Sequence, residues 1–411
     1  MTKHPRAAFR HLDFKYYIAS RFLALIGIQM LIVAISQYVY ERTHNPLYLG
    51  YIGLATFLPK IAFTLPSGHL ADRLDRRKVL IASRLIQLLM MLALIGFSLT
   101  TTATTTAHLL IIYGLMFLMG TGSTVGAPAS QAMVTQLVPT EDFNNAVAWN
   151  SSSMQIAFIL GPALGGWCYA LFGNAIYVYF IVFFLHFIST LLIWQLKPLT
   201  DHIEKADISW KAIMAGLHFV FQKKIILGAI SMDLFAVLLG GATALMPIFA
   251  NDILKVGPKG LGLLRAAPSF GAAVMALSLA YLPPLKKAGK TMFLCVALFG
   301  TATILFGLSK TFWFSMMCLV VLGASDMVSV VIRGVLVQVQ TPPAMRGRVS
   351  AVNMVFIGAS NELGEFESGL TARLFGTIPS VIIGGLGTLA VVTLWSWKFP
   401  ELKNFGKLDE P

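Results

Sequence analysis

Residues 68–78 read Gly-His-Leu-Ala-Asp-Arg-Leu-Asp-Arg-Arg-Lys, a short and densely charged stretch between two long apolar segments. The chain around it is strongly apolar, since hydrophobic residues make up 56% of its 411 residues and charged residues only 12%. A soluble domain carries about 25% charged residues. Apolar segments of about 20 residues, joined by short polar loops, are typical of helices that cross a membrane. The sequence therefore predicts an integral membrane protein built from many helices.

Twelve apolar segments are long enough to span a bilayer. They lie at 14–40, 47–70, 79–100, 108–137, 143–172, 175–196, 225–250, 259–284, 291–309, 312–340, 349–372 and 377–398. If the N-terminus is cytoplasmic, 21 of the 31 Lys and Arg residues fall in cytoplasmic segments and five in the outer loops, when Lys15, Lys259 and Lys398 at the span ends are counted with the adjacent loops. This is the positive-inside distribution. We therefore attribute the net charge of +13 to membrane topology rather than to nucleic-acid binding, and expect both termini in the cytoplasm.

The longest polar stretch divides the chain into three parts. We predict an N-terminal six-helix bundle at 1–196, a cytoplasmic linker at 197–224 and a C-terminal six-helix bundle at 225–411. Within the linker, Trp210, Ile213, Leu217 and Val220 recur at helical spacing. This pattern predicts an amphipathic helix lying on the membrane surface.

The two halves also share residues at a fixed offset of 203 positions. Such an internal repeat is typical of transporters, whose substrate site lies between the repeats near the bilayer midplane. The matched pairs are Gly120 with Gly323, Pro139 with Pro342, Asn150 with Asn353, Gly161 with Gly364 and Gly166 with Gly369.

Residues 68–78 resemble the loop between helices 2 and 3 of the major facilitator superfamily, whose pattern is roughly G-x-L-A-D-R-x-G-R-R/K, with Asp75 in place of the glycine. The loops 137–142 and 340–348 are similar to those of its drug:proton antiporter branch, which includes the enterobactin exporter and macrolide efflux proteins. The resemblance implies an all-α fold of twelve transmembrane helices in two pseudo-symmetric six-helix bundles. It also implies a monomer in a bacterial inner membrane, surrounded by lipids.

The same resemblance suggests which residues gate the transport path. Asp72 stands where the family has an acid facing the start of helix 11, and a cytoplasmic latch is expected there. The basic residues that would complete it are Arg73, Arg76, Arg346 and Arg348. For the basic residues of the 68–78 stretch, simple anchoring at the membrane edge is an equal alternative.

Residues 157–166 resemble the antiporter motif G-x-x-x-G-P-x-x-G-G, with Ala157 in place of the first glycine. The resemblance places the motif residues Gly161, Pro162, Gly165 and Gly166 on a face that distinguishes antiporters from other transporters. Generic packing of small residues is the alternative explanation.

Charged side chains inside the spans are costly and often mark a transport pathway. Asp233, Asp326 and Glu362 are the first candidates for proton coupling, with Glu365 beside them; helix–helix adhesion is the alternative. We expect Lys60 to pair with Glu362 or Glu365, either statically or in one transport state only. Arg21 and Arg84 are interpreted as side chains that reach the membrane edge.

Polar side chains within the spans are candidates for binding a ligand. They are Gln29, Gln37, Gln131, Asn150, Gln155 and Arg333.

Asp326 and Arg333 are seven residues apart, which places them on the same helix face, and the repeat matches them with Ser123 and Ser130. Proton coupling is therefore expected in the C-terminal half.

These features favour a proton-coupled exporter of a small amphipathic compound, such as a siderophore or one of several drugs. The alternative within the superfamily is a lysophospholipid flippase. An intramembrane enzyme is disfavoured because no metal motif or nucleophile–base pair accompanies the carboxylates. The sequence predicts no cofactor and no metal site.

Overall fold

The computed structural model describes residues 6–100, 105–197, 210–283 and 286–406. The described residues form helices and connecting turns and contain no strand, which confirms the predicted all-α fold. Apolar spans favour this outcome because a helix satisfies its backbone hydrogen bonds internally.

Six long helices follow one another in the first half of the chain. After a short 3₁₀ turn at Ala8–Arg10 they are α1 (Leu12–Thr43), α2 (Pro46–Arg73), α3 (Arg76–Leu99), α4 (Thr105–Leu137), α5 (Phe143–Phe172) and α6 (Ala175–Trp194).

The second half contains the remaining helices, most of them equally long. They are α7 (Trp210–Gln222), α8 (Lys224–Gly240), α9 (Met246–Ile248), α10 (Gly257–Tyr281), α11 (Ala288–Leu308), α12 (Phe312–Val339), α13 (Arg346–Phe375), α14 (Thr377–Lys398) and α15 (Pro400–Lys403).

Among the described residues, eleven helical segments are long and apolar enough to cross a membrane. The remaining predicted span corresponds to α13, which is 30 residues long. Three glutamates, Glu362, Glu365 and Glu367, interrupt its apolar residues and keep it outside that set.

The contacts of the chain define two compact units. The first comprises residues 1–42 and 55–207, and the second comprises residues 43–54 and 208–411. Helix α2 therefore contributes its first residues to the second unit and the rest to the first. The domain boundaries at 196 and 224 stay predictions.

Small residues bring helices close together inside the first unit. A Cβ atom on Gly120 of α4 would lie 2.9 Å from the carbonyl oxygen of Thr56 in α2. On α5, a Cβ on Gly165 would lie 2.8 Å from Cα of Met30 in α1. Contacts this short exclude larger side chains, so both helix pairs depend on glycine.

The second unit repeats these close contacts at the matched positions. Gly323 of α12 faces the backbone of Pro268 in α10, as Gly120 faces α2. A Cβ on Gly364 of α13 would lie 2.9 Å from the carbonyl oxygen of Leu238 in α8, and a Cβ on its matched residue, Gly161 of α5, would lie 3.1 Å from the carbonyl oxygen of Ile26 in α1. The 203-residue offset therefore relates glycines that play the same packing role in each unit.

The seventh predicted span is interrupted near its end. Helix α8 stops at Gly240, and the chain continues through a 3₁₀ turn (Ala242–Leu245), α9 and a π-helical turn (Phe249–Ile253). Gly241 and Pro247 explain the break, because glycine destabilises a helix interior and proline cannot donate a backbone hydrogen bond. The freed carbonyl of Gly241 accepts a hydrogen bond from Ser368 Oγ of α13 at 2.9 Å.

The predicted amphipathic helix of the linker is present as α7, but part of its apolar face covers protein. Val220 is 1% exposed and belongs to a core cluster that also contains residues of α8, α12 and α13. A Cβ on Gly216 would lie 2.9 Å from the carbonyl oxygen of Arg348. The expectation that this face lies on the membrane surface is therefore wrong for Val220 and the adjacent Leu217, which packs against the same cluster.

Candidate functional site

The second unit contains a buried ion pair between two helices. Arg333 of α12 pairs with Asp233 of α8, and their side chains are 3% and 7% exposed. A buried charge is stable only if it is paired, so each side chain depends on the other.

A second carboxylate lies beside this pair. Asp326, seven residues before Arg333 on α12, lines a small cavity together with Asp233, Ser325 and Ser329. The cavity volume is about 10 Å³, which is close to the space that one water molecule needs. The structure thus brings together three residues that the sequence singled out, with two carboxylates for one guanidinium.

The first unit contains a larger cavity of about 160 Å³ between α1, α3 and α4. Its lining includes two arginines from inside the spans, Arg21 and Arg84. The other lining residues are Leu25, Ile28, Leu80, Ser83, Gln87, Ser123, Gly126, Ala127, Ser130 and Gln131.

Uncharged oxygen atoms hold the Arg21 guanidinium in place. It donates to Oδ1 of Asn150 at 2.8 Å and to the hydroxyl of Tyr17 at 3.1 Å. Tyr17 in turn donates to the carbonyl oxygen of Ser130 at 2.7 Å. The Arg21 guanidinium is therefore held between α1 and α5 at a cavity wall, and its reach to the membrane edge stays a prediction.

Arg84 has a similar environment on α3. Its guanidinium donates to Oε1 of Gln87 at 2.9 Å, and Gln87 donates to Ser123 Oγ of α4 at 3.2 Å. Its Nε atom is buried and has no hydrogen-bond partner. The membrane-edge interpretation of Arg84 also stays a prediction, and the spacing of Ser83, Arg84 and Gln87 on one helix is the signal that could have indicated a polar wall.

The predicted ligand-binding amides have separate locations. Gln131 is exposed and lines the first-unit cavity, whereas Asn150 acts through Arg21. Gln37 is buried and donates to Glu41 at 2.8 Å, and Glu41 also accepts from the hydroxyl of Tyr169 at 2.5 Å. Among the other two, Gln29 packs against Gly161 of α5, and Gln155 is partly buried. Ligand binding by these amides stays a prediction.

The matched positions of the repeat line corresponding cavities. Ser123 and Ser130 of α4 line the first-unit cavity, and Asp326 of α12 lines the cavity of the second unit. The fourth residue, Arg333, forms the ion pair next to it. The same helix face therefore carries hydroxyl groups in one unit and ionisable groups in the other.

Several predicted gating residues make local contacts. Arg76 is buried and donates to the carbonyl oxygen of Ala132 in α4 at 3.1 Å. Arg346 donates to the carbonyl oxygen of Thr341 at 3.2 Å, and Arg348 and Arg73 are exposed.

The side chain of Asp72 lies outside the described residues. The latch therefore stays a prediction. The departure at Asp75 has a structural reason, because its carboxylate caps α3 by accepting from the backbone N–H of Arg77 at 2.9 Å.

Two of the membrane carboxylates of α13, Glu365 and Glu362, differ in their surroundings. The side chain of Glu365 lies against Gly53, since a Cβ there would be 2.8 Å from Glu365 Oε2. Glu362 is partly buried. Lys60 belongs to the first unit and both glutamates to the second, and the predicted pairing of Lys60 stays a prediction.

The residues of the antiporter-like motif are buried within the first unit. Gly161, Pro162, Gly165 and Gly166 all lie in the buried part of α5. Gly161 and Gly165 contact α1 at Gln29 and Met30. The motif thus acts in packing, and its role in antiport stays a prediction.

Comparison with known proteins gives a consistent result. A family model described as transmembrane secretion effector matches residues 3–408. The enterobactin exporter EntS of Escherichia coli (strain K12) is 25% identical over 395 residues, which cover 96% of this chain and 94% of the exporter.

Solved transporter structures have a similar fold. A bacterial homologue of the human lysosomal transporter Spinster, inward-facing and occupied, superposes with a TM-score of 0.74 at 14% identity, covering 97% of this chain and 99% of that one. A bacterial homologue of the iron transporter ferroportin gives a TM-score of 0.73 at 14% identity, covering 96% and 99%. At this identity the likeness concerns the fold alone.

Proposed function

Because the chain belongs to the transmembrane secretion effector family of the major facilitator superfamily, we propose that it exports a small amphipathic compound in exchange for protons. Members of this superfamily are transporters rather than enzymes. The relatives named enterobactin exporter favour a siderophore as cargo over other drug-like compounds. They also favour export over the lysophospholipid flippase alternative.

The ion pair of Arg333 and Asp233, with Asp326 on the same cavity wall, is the observation that supports proton coupling. A guanidinium stays charged under all physiological conditions. The three groups together carry one negative charge when both carboxylates are ionised, and they are neutral when one carboxylate holds a proton. Since an uncompensated charge inside a membrane protein is costly, the cluster favours holding one proton.

The same cluster gives a route from proton binding to conformational change. When the proton leaves, the ionised Asp326 repels Asp233 across the cavity that both residues line, and the contact between α8 and α12 made by the pair of Asp233 with Arg333 becomes weaker. Proton binding at Asp326 removes this repulsion. Alternation between these two charge states is the step that would link proton entry to a change of access.

The expected setting is a bacterial inner membrane, with both termini in the cytoplasm, lipids around the spans and the protein acting as a monomer. Protons entering from outside would then drive cargo outward. The distribution of Lys and Arg supports this orientation.

Proton movement in proteoliposomes tests the proposal. A pH gradient is imposed, and enterobactin, a macrolide, a hydroxamate siderophore or a lysophospholipid is added. We expect one of the siderophores or the macrolide, and not the lysophospholipid, to collapse the gradient in the natural protein, and none of the compounds to do so in Asp326→Asn. Glu401→Gln removes an exposed carboxylate of α15 and serves as the matched control.

Two results would contradict the proposal. The first is a gradient that no compound collapses, together with movement of the lysophospholipid in the absence of a gradient. The second is substrate-dependent proton movement that remains unchanged in both Asp326→Asn and Asp233→Asn.

A further inference from the structure

The first-unit cavity carries a positive charge that the group of Asp233, Asp326 and Arg333 does not explain. Arg21 and Arg84 both line it, and its lining contains no carboxylate. In the described part of the chain, neither guanidinium forms an ion pair with Asp or Glu. Two positive charges therefore face one cavity without a protein anion to balance them.

The hydrogen bonds of the two arginines leave donors for a ligand. Each guanidinium has five N–H donors. Arg21 uses one nitrogen on Asn150 and Tyr17 and directs another toward the sulfur of Met154. Arg84 donates to Gln87, and its buried Nε has no partner. The unused N–H groups match the acceptor geometry of carboxylate or phenolate oxygens.

A bound anion would lower the energetic cost of placing two arginine charges at this cavity. Charged side chains within spans cost on the order of several kcal/mol unless they are paired or reach water. Neutral amide and hydroxyl acceptors compensate only part of this cost, and two like charges at one cavity add mutual repulsion. An anionic ligand removes both penalties, whereas a cationic ligand increases them.

The size and walls of the cavity indicate the shape of the group that fits. Its volume is about 160 Å³, and a cavity of about 150 Å³ holds one benzene molecule. Leu25, Ile28 and Leu80 supply apolar wall. Gln87 and Gln131 supply amide groups on the polar side.

We propose that this cavity is a cargo subsite for one aromatic ring that carries anionic oxygen atoms, with Arg21 and Arg84 as the residues that select for negative charge. The inference rests on the proposed export function and narrows its cargo to anionic compounds. It predicts that cationic drugs and dyes are poor substrates. Ser123 contributes to this selection because it is uncharged, whereas the matched position in the second unit holds Asp326. An acid at position 123 would pair with the arginines in competition with an anionic ligand.

Binding to the purified full-length protein in detergent tests the proposal without requiring transport. Isothermal titration with benzoate and with dihydroxybenzoate should give measurable binding, and benzylamine, a ring of the same size with a positive charge, should give none. Arg84→Gln and Arg21→Gln should each weaken anion binding by about 10- to 100-fold, since a hydrogen bond to a charged group contributes about 1.5–3 kcal/mol. Arg10→Gln removes an exposed charge in the same unit and should have no effect.

Two further variants separate charge selection from loss of folding. Arg84→Lys retains the charge and should retain most of the binding, even if Arg84→Gln fails to fold. Ser123→Asp places one acid on the cavity wall and leaves a net charge of about +1 there, so it should weaken benzoate binding about as much as Arg84→Gln does, without admitting benzylamine. Benzylamine that binds the natural protein as tightly as benzoate would overturn the proposal, as would full benzoate binding in Arg84→Gln or no benzoate binding to the natural protein.

These experiments test the export proposal and the anion-site proposal independently. Arginine-dependent anion binding without any cargo-driven proton movement would refute export while the anion site stands. Cargo-driven proton movement with unchanged activity in folded Arg21→Gln and Arg84→Gln would refute the anion site while export stands.

Discussion

Replacing Asp233 by Asn should destabilise the protein by about 3–5 kcal/mol, the usual cost of removing one partner of a buried ion pair. The Arg333 side chain is only 3% exposed, so water cannot take the place of the lost carboxylate. A guanidinium cannot release its proton to become neutral, so Asp233→Asn leaves an unpaired charge between α8 and α12. Asp326 lines the same cavity, and transfer of Arg333 to it would bring the loss toward the lower end of this range.

The reverse substitution should respond to pH in a way that Asp233→Asn does not. Arg333→Gln leaves the Asp233 carboxylate without its cation, and a carboxylate can be neutralised by a proton. The destabilisation of Arg333→Gln should therefore shrink as the pH falls from about 7 to about 5, whereas that of Asp233→Asn should not shrink, because acid cannot neutralise an orphaned guanidinium.

A double-mutant cycle checks this reasoning. Unfolding free energies are measured by titration with sodium dodecyl sulfate in mixed micelles, for the natural protein, the two single variants and the double variant Asp233→Asn/Arg333→Gln. The double variant should lose less than the sum of the single losses, because it contains no unpaired charge at this site. Additivity within about 0.5 kcal/mol, the range typical of independent sites, would refute the reasoning.

Three further substitutions give stability predictions that the same titration can measure. Asp75→Ala should cost about 1 kcal/mol through loss of the α3 cap and Asp75→Asn much less; equal losses in the two variants would contradict the capping role. Gly165→Ala should cost about 1–3 kcal/mol, because its new methyl group would press on the backbone of Met30, which cannot move aside as a side chain can. Tyr169→Phe should cost about 1 kcal/mol by removing the hydrogen bond to the exposed Glu41, and the loss should disappear when Glu41 is also replaced by Ala, which has no side-chain acceptor.

The sequence predicted most of the helices well, because long apolar segments allow few alternatives to a spanning helix. It also placed Asp326 and Arg333 on one face of α12, since that relation follows from helix geometry within a single segment. It could not identify Asp233 as the partner of Arg333. That contact joins segments 100 residues apart and depends on how α8 packs against α12.

The first-unit cavity could not be predicted from the sequence. Arg21 and Arg84 were each interpreted singly, and a single arginine in a span is explained well enough by reaching the membrane edge. Only the packing of α1 against α3 and α4 shows that both guanidinium groups face one space. The linker helix α7 gives a third case, because amphipathic spacing predicts an apolar face without indicating whether lipid or protein covers it.

The interrupted seventh span has a consequence for biosynthesis. The carbonyl of Gly241 is satisfied by Ser368, which follows 127 residues later in the chain. At a translation rate of about 5–20 residues per second, the ribosome adds that partner roughly 6–25 s after Gly241 itself. During this interval the nascent span contains a backbone acceptor whose final donor does not yet exist. Membrane insertion of this segment therefore includes a vulnerable period, during which water, lipid head groups or an insertion factor must donate a hydrogen bond to the carbonyl of Gly241.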